Sequence, residues 1–378
     1  MTSLQTLLIR RQGLYFIISI VITLTIELRL TLTERKLNVA NLYPVPPMQV
    51  NQAFRFSSMN LFQEKIAGGQ ALDGQTNVHS QACASMSEIV MERASNILEM
   101  SEREKRKVWV LWSGGIDTTA MVVAFCALAE KNRSLRDLLT ICHSARSKAE
   151  NPQFYKDTVL NFDNVVIPHH VRDILSYNIK DGPILVTGEP ADVIFGSDVM
   201  SQCLLDPPTL KKGGPFSPLF TKLEASWTIF ADFMVYKGLL SEPAKTSWIQ
   251  WIQPFVDKSP IPVVTVFDFL WWCSYGFKYQ HNLNRIFYNS THETIPEEMV
   301  NQVYNFYGTM AFSQWSYHFH QSKMRSKKVW ASYKHALKDF IRRYTNDKEY
   351  YAAKLNVQSV SNSWGFEHGM DNNYNLLR

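Results

Sequence analysis

Cysteine is scarce in this chain of 378 residues, and its five copies are scattered without a C-x-x-C pair or a Cys/His cluster. Their scatter argues against a zinc site and against a disulfide framework, and it is typical of a protein from a reducing compartment. The excess of positive over negative charge is also small, since the formal net charge is only +5. Such a mild balance permits a polyanionic ligand but does not demand nucleic acid.

Long hydrophobic runs are lacking too. The apolar segment at residues 14–26 is shorter than the about 20 residues that cross a bilayer. Two arginines precede it, as in a signal peptide, but no small-x-small cleavage site follows. Three interpretations stay open: a membrane anchor, a packed helix or strand, or an upstream extension with the true start near Met48 or Met59. We expect a cytoplasmic protein, with anchoring through residues 14–26 as the minority alternative.

The two commonest nucleotide-binding fingerprints, G-x-x-x-x-G-K-[ST] and G-x-G-x-x-G, are missing, but residues 107–120 read KVWVLWSGGIDTTA. The apolar run at 108–112 predicts a buried strand, and a helical pattern follows the turn. The turn consists of Ser113, Gly114 and Gly115, whose glycines permit positive φ and a close approach of phosphate. Strand, glycine-rich turn and helix together direct backbone N–H groups at an anion. The alternative is an ordinary turn without a ligand.

Hydroxyl and carboxylate groups continue this turn. Thr118 supplies a further hydroxyl donor beside Ser113. Asp117 by itself would repel a phosphate, but a carboxylate fits well if a divalent cation lies between it and the phosphate. The segment therefore predicts a site for a phosphate together with a metal ion.

Apolar strands alternate with helical segments through the middle of the chain. Besides 108–112, strands are predicted at 138–142, 164–168 and 184–187, and a helix at 85–105. This alternation implies right-handed βαβ units, so we predict an α/β fold with an open parallel sheet and flanking helices. Ligands of open sheets bind at the carboxyl ends of the strands, which is where the glycine-rich turn falls.

The predicted organisation has three parts. Residues 1–84 are predicted to be an N-terminal extension and linker, 85–225 an α/β domain that carries the phosphate-binding turn, and 226–378 a mostly helical, aromatic-rich C-terminal part. The aromatic residues crowded at 248–277 are interpreted as core. The basic run at 323–343 is interpreted as a solvated helix face, with a phosphate-facing role as the alternative.

A second acidic motif follows the predicted strand at 184–187, since residues 184–198 read ILVTGEPADVIFGSD. The strand ends in Thr-Gly, and Glu189 and Asp192 come next. Both acids are expected at the sheet edge that carries Asp117. One acid alone could be a helix N-cap, but three that converge on a phosphate turn are better explained by magnesium and a substrate amine.

The two motifs together resemble a known family. S-G-G-I-D-T resembles the S-G-G-x-D-[ST] signature of the PP-loop ATP pyrophosphatases, and T-G-E-x-A-D-x-I-F-G is similar to the second signature of the asparagine synthetase family. Their spacing of about 70 residues is also what this resemblance leads one to expect. The similarity covers residues 85–360, strongly at the motifs and loosely elsewhere, with faint likeness at 305–315 and 333–338. It implies a synthetase domain with the fold of the adenine-nucleotide α-hydrolases.

The second motif departs from the family pattern at Pro190, Val193 and Ser197, whereas Glu189 and Asp192 are kept. The resemblance therefore implies intact nucleotide and metal binding with a different or uncertain acceptor.

A larger departure lies upstream, where the family carries a glutaminase domain that begins with a catalytic cysteine. The first cysteine here is Cys83, and about 100 residues precede the synthetase-like part. We therefore expect no glutamine hydrolysis by this chain. Ammonia, another amine or a separate glutaminase would supply the nitrogen.

ATP and Mg²⁺ are the cofactors that the resemblance implies. Mg²⁺ would bridge the phosphates from Asp117 and Asp192, while Glu189 would orient or deprotonate the amine or bind a substrate ammonium. The implied nucleotide-binding residues are Ser113, Gly114, Gly115, Asp117, Thr118, Gly188 and Ser144. Ser144 belongs to segment 143–147, which is a surface loop in the alternative interpretation.

A lysine should face the anionic transition state. The family uses one from its C-terminal part, and Lys354 is the preferred candidate, followed by Lys338 and Lys334.

The motifs and the resemblance predict an ATP-dependent amide-forming ligase. It would adenylate a small carboxylate, aspartate by default, release pyrophosphate and transfer an amine, with no nucleic acid as partner. One alternative is a PP-loop enzyme that modifies nucleotides or RNA, although the cysteine pairs of such enzymes are not visible. The other is a non-catalytic ATP-binding relative, which the altered Val193 and Ser197 keep open.

Overall fold

The computed structural model describes residues 84–168, 171–176, 182–196, 223–236, 240–283, 286–287, 301–325 and 333–356. Within these limits the chain forms two compact units. The first, called the sheet unit, takes its described residues from 84–195, 282–325 and 333–356. The second, called the helical unit, takes them from 196–281. The apolar segment at 14–26 and the predicted linker lie outside the described residues.

A parallel five-stranded sheet organises the sheet unit. Its strands are β1 (Val108–Leu111), β2 (Leu139–His143), β3 (Asp163–Val166), β4 (Ile184–Thr187) and β5 (Val303–Asn305). They lie in the order β3-β2-β1-β4-β5, and each neighbouring pair is parallel. The predicted open parallel sheet with flanking helices is therefore confirmed. β5 was not predicted, and it joins the sheet from a point far downstream of β4.

Helices connect and cover these strands. Along the chain they are α1 (Met86–Glu104), α2 (Ile116–Ala129), α3 (Arg133–Leu138), α4 (Ala145–Glu150), α5 (Pro152–Asp157) and α6 (Ala191–Phe195). Short 3₁₀ segments follow at Val159–Asn161 and Val171–Ser176. α1 begins at a capping box, in which the Ser85 hydroxyl accepts from the Glu88 N–H and the Glu88 carboxylate accepts from the Ser85 N–H. α2 is buried on nearly every side, as expected for a helix without a polar face.

The helical unit contains α7 (Ile229–Tyr236), a 3₁₀ segment at Glu242–Ala244, α8 (Lys245–Val256) and most of α9 (Val266–Leu283). Its core is aromatic: Phe230 packs against Trp248 and Phe269, and the Trp272 indole N–H donates to the Phe255 carbonyl at 2.8 Å. Phe230, Trp248, Phe269 and Trp272 are all buried, in agreement with the interpretation of the aromatic residues at 248–277 as core.

The chain then returns to the sheet unit. After β5 come α10 (Met310–His318), a 3₁₀ segment at His320–Lys323, α11 (His335–Thr345) and α12 (Lys348–Asn356). α11 packs against α2, which carries the glycine-rich turn at its start. Within the described ranges, no helix has the length and apolar character needed to cross a membrane.

The described residues of the basic run at 323–343 form the predicted solvated face only in part. Lys323, Lys334 and Lys338 are buried, whereas Arg342 and Arg343 are exposed. The burial of Lys334 and Lys338 has a tertiary cause, because α11, at whose start both residues lie, packs one side against α2.

Candidate active site at the ends of β1 and β4

The turn after β1 is closed by its own hydroxyl groups. The Ser113 N–H donates to Thr118 Oγ1 at 3.0 Å, and the two side-chain hydroxyls lie 2.9 Å apart. Gly115 is the N-cap of α2 in extended conformation and makes no side-chain cap. The first N–H groups of a helix have no partner inside it, so those of α2 remain available toward the turn. This is the arrangement that an anion requires.

Gly114 is held at a position that no other residue fits. Its φ is +85°, and a Cβ added there would lie 2.5 Å from the Ser147 carbonyl oxygen and 2.6 Å from Glu150 Cβ. The turn after β1 therefore rests directly on α4, the helix that follows β2.

Ser144 is buried and acts as the N-cap of α4. Its hydroxyl accepts from the Ser147 N–H at 3.3 Å, while the Ser144 N–H donates to the Ser147 hydroxyl at 3.1 Å. Segment 143–147 is thus not the surface loop of the alternative interpretation, because His143, Ser144 and Ser147 are all buried. The Ser144 side chain stabilises a helix end beside the turn, and a role in nucleotide binding stays a prediction.

The turns after β1 and β4 touch each other. A Cβ added to Gly188 would lie 2.7 Å from Thr118 Cγ2, so glycine at this position permits the contact. β1 and β4 are neighbours in register, with Val110 opposite Val186. The second acidic motif therefore stands beside the glycine-rich turn, as expected from the parallel sheet.

Asp117 and Asp192 converge on one ammonium group. Lys334 Nζ lies 2.5 Å from Asp117 Oδ2 and 2.8 Å from Asp192 Oδ1. Both carboxylates lie in the first turn of a helix, Asp117 in α2 and Asp192 in α6. Lys334 is the N-cap of α11 and brings a residue from the far end of the chain to these two motifs.

Burial and charge act on the pKa values of this group in opposite directions. Burial raises the pKa of Asp117 to about 6; the Lys334 ammonium lowers it, and the charges of Asp192 and Glu189 add to the rise. Burial lowers the pKa of Lys334, but the two aspartates outweigh burial and hold that pKa well above its ordinary value. One ammonium shared by two carboxylates stays charged, whereas each carboxylate receives only part of its compensation.

One carboxylate oxygen of Asp117, the buried Oδ1, has no hydrogen-bond partner. A buried carboxylate oxygen without a donor is costly, and a metal ion or a bound ligand would satisfy it. Two carboxylates with a spare oxygen form a donor set that Mg²⁺ accepts. Among the described residues, however, no group of three or more His, Cys, Asp or Glu side chains could hold a metal ion by itself. Further oxygen ligands would have to come from the substrate or from water.

The three candidate lysines differ in position. Lys334 contacts the acids directly, although it ranked behind the other two. Lys338 is buried one turn further along α11, and its Nζ, like that of Lys334, lies 5.3 Å from the centre of the Tyr333 ring. Lys354 lies in α12, but its side chain is outside the described residues.

Tyr307, two residues after the end of β5, forms hydrogen bonds to both motifs, and its role was not predicted from the sequence. Its hydroxyl donates to the Asp117 carbonyl at 2.8 Å, and its N–H donates to the Glu189 carbonyl at 3.1 Å. Arg93 of α1 donates to the carbonyls of Asn305 and Phe306 and so holds this segment in place. The only sequence signal was the faint family likeness that begins at Asn305.

We expect Tyr307→Phe to lower the rate of the pyrophosphate release predicted from the sequence about tenfold, and the free energy of unfolding by about 1 kcal/mol, the cost of one buried hydrogen bond. Steady-state kinetics and urea unfolding measure the two effects. Tyr351→Phe is the matched control, since it removes a hydroxyl that donates to Asp339 between α11 and α12. Equal kinetics for both variants would show that the Tyr307 hydroxyl does not position the site.

No family model, no curated protein and no solved structure matches this chain. The functional assignment therefore depends on the two motifs and on the geometry they adopt.

Proposed function

We propose that this chain is an ATP-dependent carboxylate–amine ligase of the asparagine synthetase type, built on a PP-loop α/β domain. It would join a carboxylate to the α-phosphorus of ATP, release pyrophosphate, and pass the acyl group to an amine with release of AMP. The observation that carries the proposal is the meeting of Asp117 and Asp192 on Lys334 beside the glycine-rich turn.

Each part of the site supports one requirement of this reaction. The turn at 113–115 and the start of α2 offer N–H groups to the pyrophosphate part of ATP. Asp117 and Asp192 would hold Mg²⁺, which neutralises charge as the bond between the α- and β-phosphates breaks. Lys334 supplies a permanent positive charge where negative charge accumulates.

Glu189 is the residue proposed to orient or deprotonate the amine. It is buried at the end of β4, and its backbone is fixed by hydrogen bonds from its N–H to the Thr187 hydroxyl and from the Tyr307 N–H to its carbonyl. A carboxylate fixed in this way can orient an amine or take a proton from it as the amide forms. Aspartate is the default carboxylate substrate, and ammonia, another amine or a separate glutaminase is the nitrogen source.

A non-catalytic ATP-binding relative is the second candidate. Val193, which stands where the family has a second acid, is fully buried in α6 and serves the core. A thiolating PP-loop enzyme is a weaker alternative, because the described cysteines Cys126, Cys142 and Cys273 are each free and buried.

The test is to incubate the full chain with ATP, Mg²⁺ and a panel of small carboxylates with ammonia, and to measure the nucleotide products. AMP with pyrophosphate is the expected outcome. ADP with phosphate would contradict the proposal. ATP binding without turnover for any carboxylate would favour the non-catalytic candidate.

A further inference from the structure

We propose that Lys334 is an internal counter-ion that a divalent cation must displace, so that metal and polyphosphate bind this site together and not separately. The inference rests on the proposed function for the identity of the polyphosphate, but it concerns binding and not turnover.

The position of the ammonium carries the first step. Lys334 Nζ contacts one oxygen of each aspartate, at 2.5 Å and 2.8 Å, and its side chain is only 4% exposed. The carboxylates of Asp117 and Asp192 are 19% and 25% exposed. A cation that arrives from solvent therefore meets carboxylates that each have one oxygen held by the ammonium, while Asp117 Oδ1 is buried and has no hydrogen-bond partner.

Charge carries the second step. With both aspartates ionised, the two carboxylates and the ammonium have a single net negative charge, and the charge of Glu189 also acts on Asp117. A divalent cation that joined this group would lie close to the ammonium and would be repelled across a poorly solvated space. The divalent cation and the Lys334 ammonium cannot both bind Asp117 Oδ2 and Asp192 Oδ1. The divalent cation therefore reaches these two oxygens only when the ammonium moves away.

The third step is the destination of the ammonium. A buried ammonium that loses its carboxylates needs another anion, because an unpaired buried charge is strongly unfavourable. A polyphosphate bound in the turn at 113–115 would provide this anion close to the ammonium, since Asp117 follows the turn by only two residues. The lysine stem has four rotatable carbons, and the Tyr333 ring at 5.3 Å offers a favourable surface for the charge nearby.

The two ligands should therefore assist each other. Metal without nucleotide has to leave the ammonium uncompensated, whereas metal with nucleotide brings the phosphate that receives it. By linkage, the same coupling applies to nucleotide affinity with and without metal.

The experiment is isothermal titration calorimetry of Mn²⁺ or Mg²⁺ into the full chain, with and without α,β-methylene-ATP, whose α–β link cannot be cleaved. For the wild type we expect metal affinity to rise about tenfold or more when the analogue is present, in the range of ordinary coupling. For Lys334→Met we expect tight metal binding without nucleotide and a coupling close to one. Lys348→Met, at an exposed lysine, is the control for loss of one positive charge and should behave as the wild type.

Lys334→Met leaves two carboxylates without their ammonium, so its stability is measured in parallel. Increasing Mg²⁺ should markedly raise the midpoint temperature of thermal unfolding of this variant. It should raise that of the wild type only when the analogue is also present. Equal metal affinity for wild type and variant without nucleotide, with no difference in the thermal shift, would overturn the inference. Metal–nucleotide coupling without AMP formation would support the inference about Lys334 and contradict the proposed ligase activity. A failure of one proposal is therefore distinguishable from a failure of the other.

Discussion

Asp117→Asn should lower pyrophosphate release by about 10³-fold while the fold persists. The amide has the shape of the carboxylate but not its charge, so it cannot compensate a metal ion, and loss of one such electrostatic contact to a transition state typically costs two to three orders of magnitude. Single-turnover kinetics with ATP and Mg²⁺ measure the effect, and thermal unfolding measures the fold.

Asp163→Asn is the control for this variant. Asp163 is an exposed residue of β3 that faces Lys107 at 3.7 Å, and its loss should leave both rate and stability nearly unchanged. Retained pyrophosphate release in Asp117→Asn would contradict the metal-binding role that we propose for this carboxylate.

Gly114→Ala should destabilise the sheet unit by about 3 kcal/mol or more and abolish nucleotide binding. A non-glycine residue at φ +85° is strained, and the new methyl group would overlap the Ser147 carbonyl oxygen, 2.5 Å away. The overlap involves backbone and not a flexible side chain, so α4 would have to move away from the turn. Urea unfolding and binding of α,β-methylene-ATP measure the two effects.

Gly115→Ala is the matched control, one residue away. Its φ is −72°, and an added Cβ would meet only the Ser113 hydroxyl at 3.5 Å. We expect its stability to fall by less than about 1 kcal/mol. If both variants lost the same stability, the close packing of Gly114 on α4 would not be the cause.

The strands were predictable where the chain marks them locally. β4 coincides with the predicted 184–187, because an apolar run stands between Pro183 and Gly188. β5 was missed for a physical reason: it has three half-buried residues, Val303–Asn305, which are too few to show a two-residue period. It is a strand because β4 offers it a free edge, and that edge exists only in the folded state.

The acids of the site were predictable, but their partners were not. Asp117 and Asp192 belong to short motifs next to strand ends, so their meeting follows from the parallel sheet. Lys334 is separated from Asp117 by 217 residues. Only the packing of α11 on α2 determines which lysine contacts the two aspartates. Local context favoured Lys354 because of its tyrosine-rich surroundings, and this choice stays a prediction, since the side chain lies outside the described residues and such context carries no information on tertiary distance.

Tyr307 shows the same limit more sharply. A tyrosine after a short apolar segment is ordinary in sequence, and its value lies in two hydrogen bonds to carbonyl groups of distant turns. Backbone carbonyls leave no trace in the side-chain pattern, so no motif could have indicated this contact.

The late arrival of β5 and α11 has a consequence for how the protein is made. Tyr307 and Lys334 meet Asp117 across 190 and 217 residues, and contacts of such separation form slowly because a long loop must close first. During synthesis, β1 to β4 leave the ribosome well before these residues do. A chain at that stage has the glycine-rich turn but lacks the strand, the tyrosine and the lysine that complete the site. We therefore expect the proposed nucleotide binding to appear as one of the last steps of folding, when β5 pairs with β4 at the edge of the sheet.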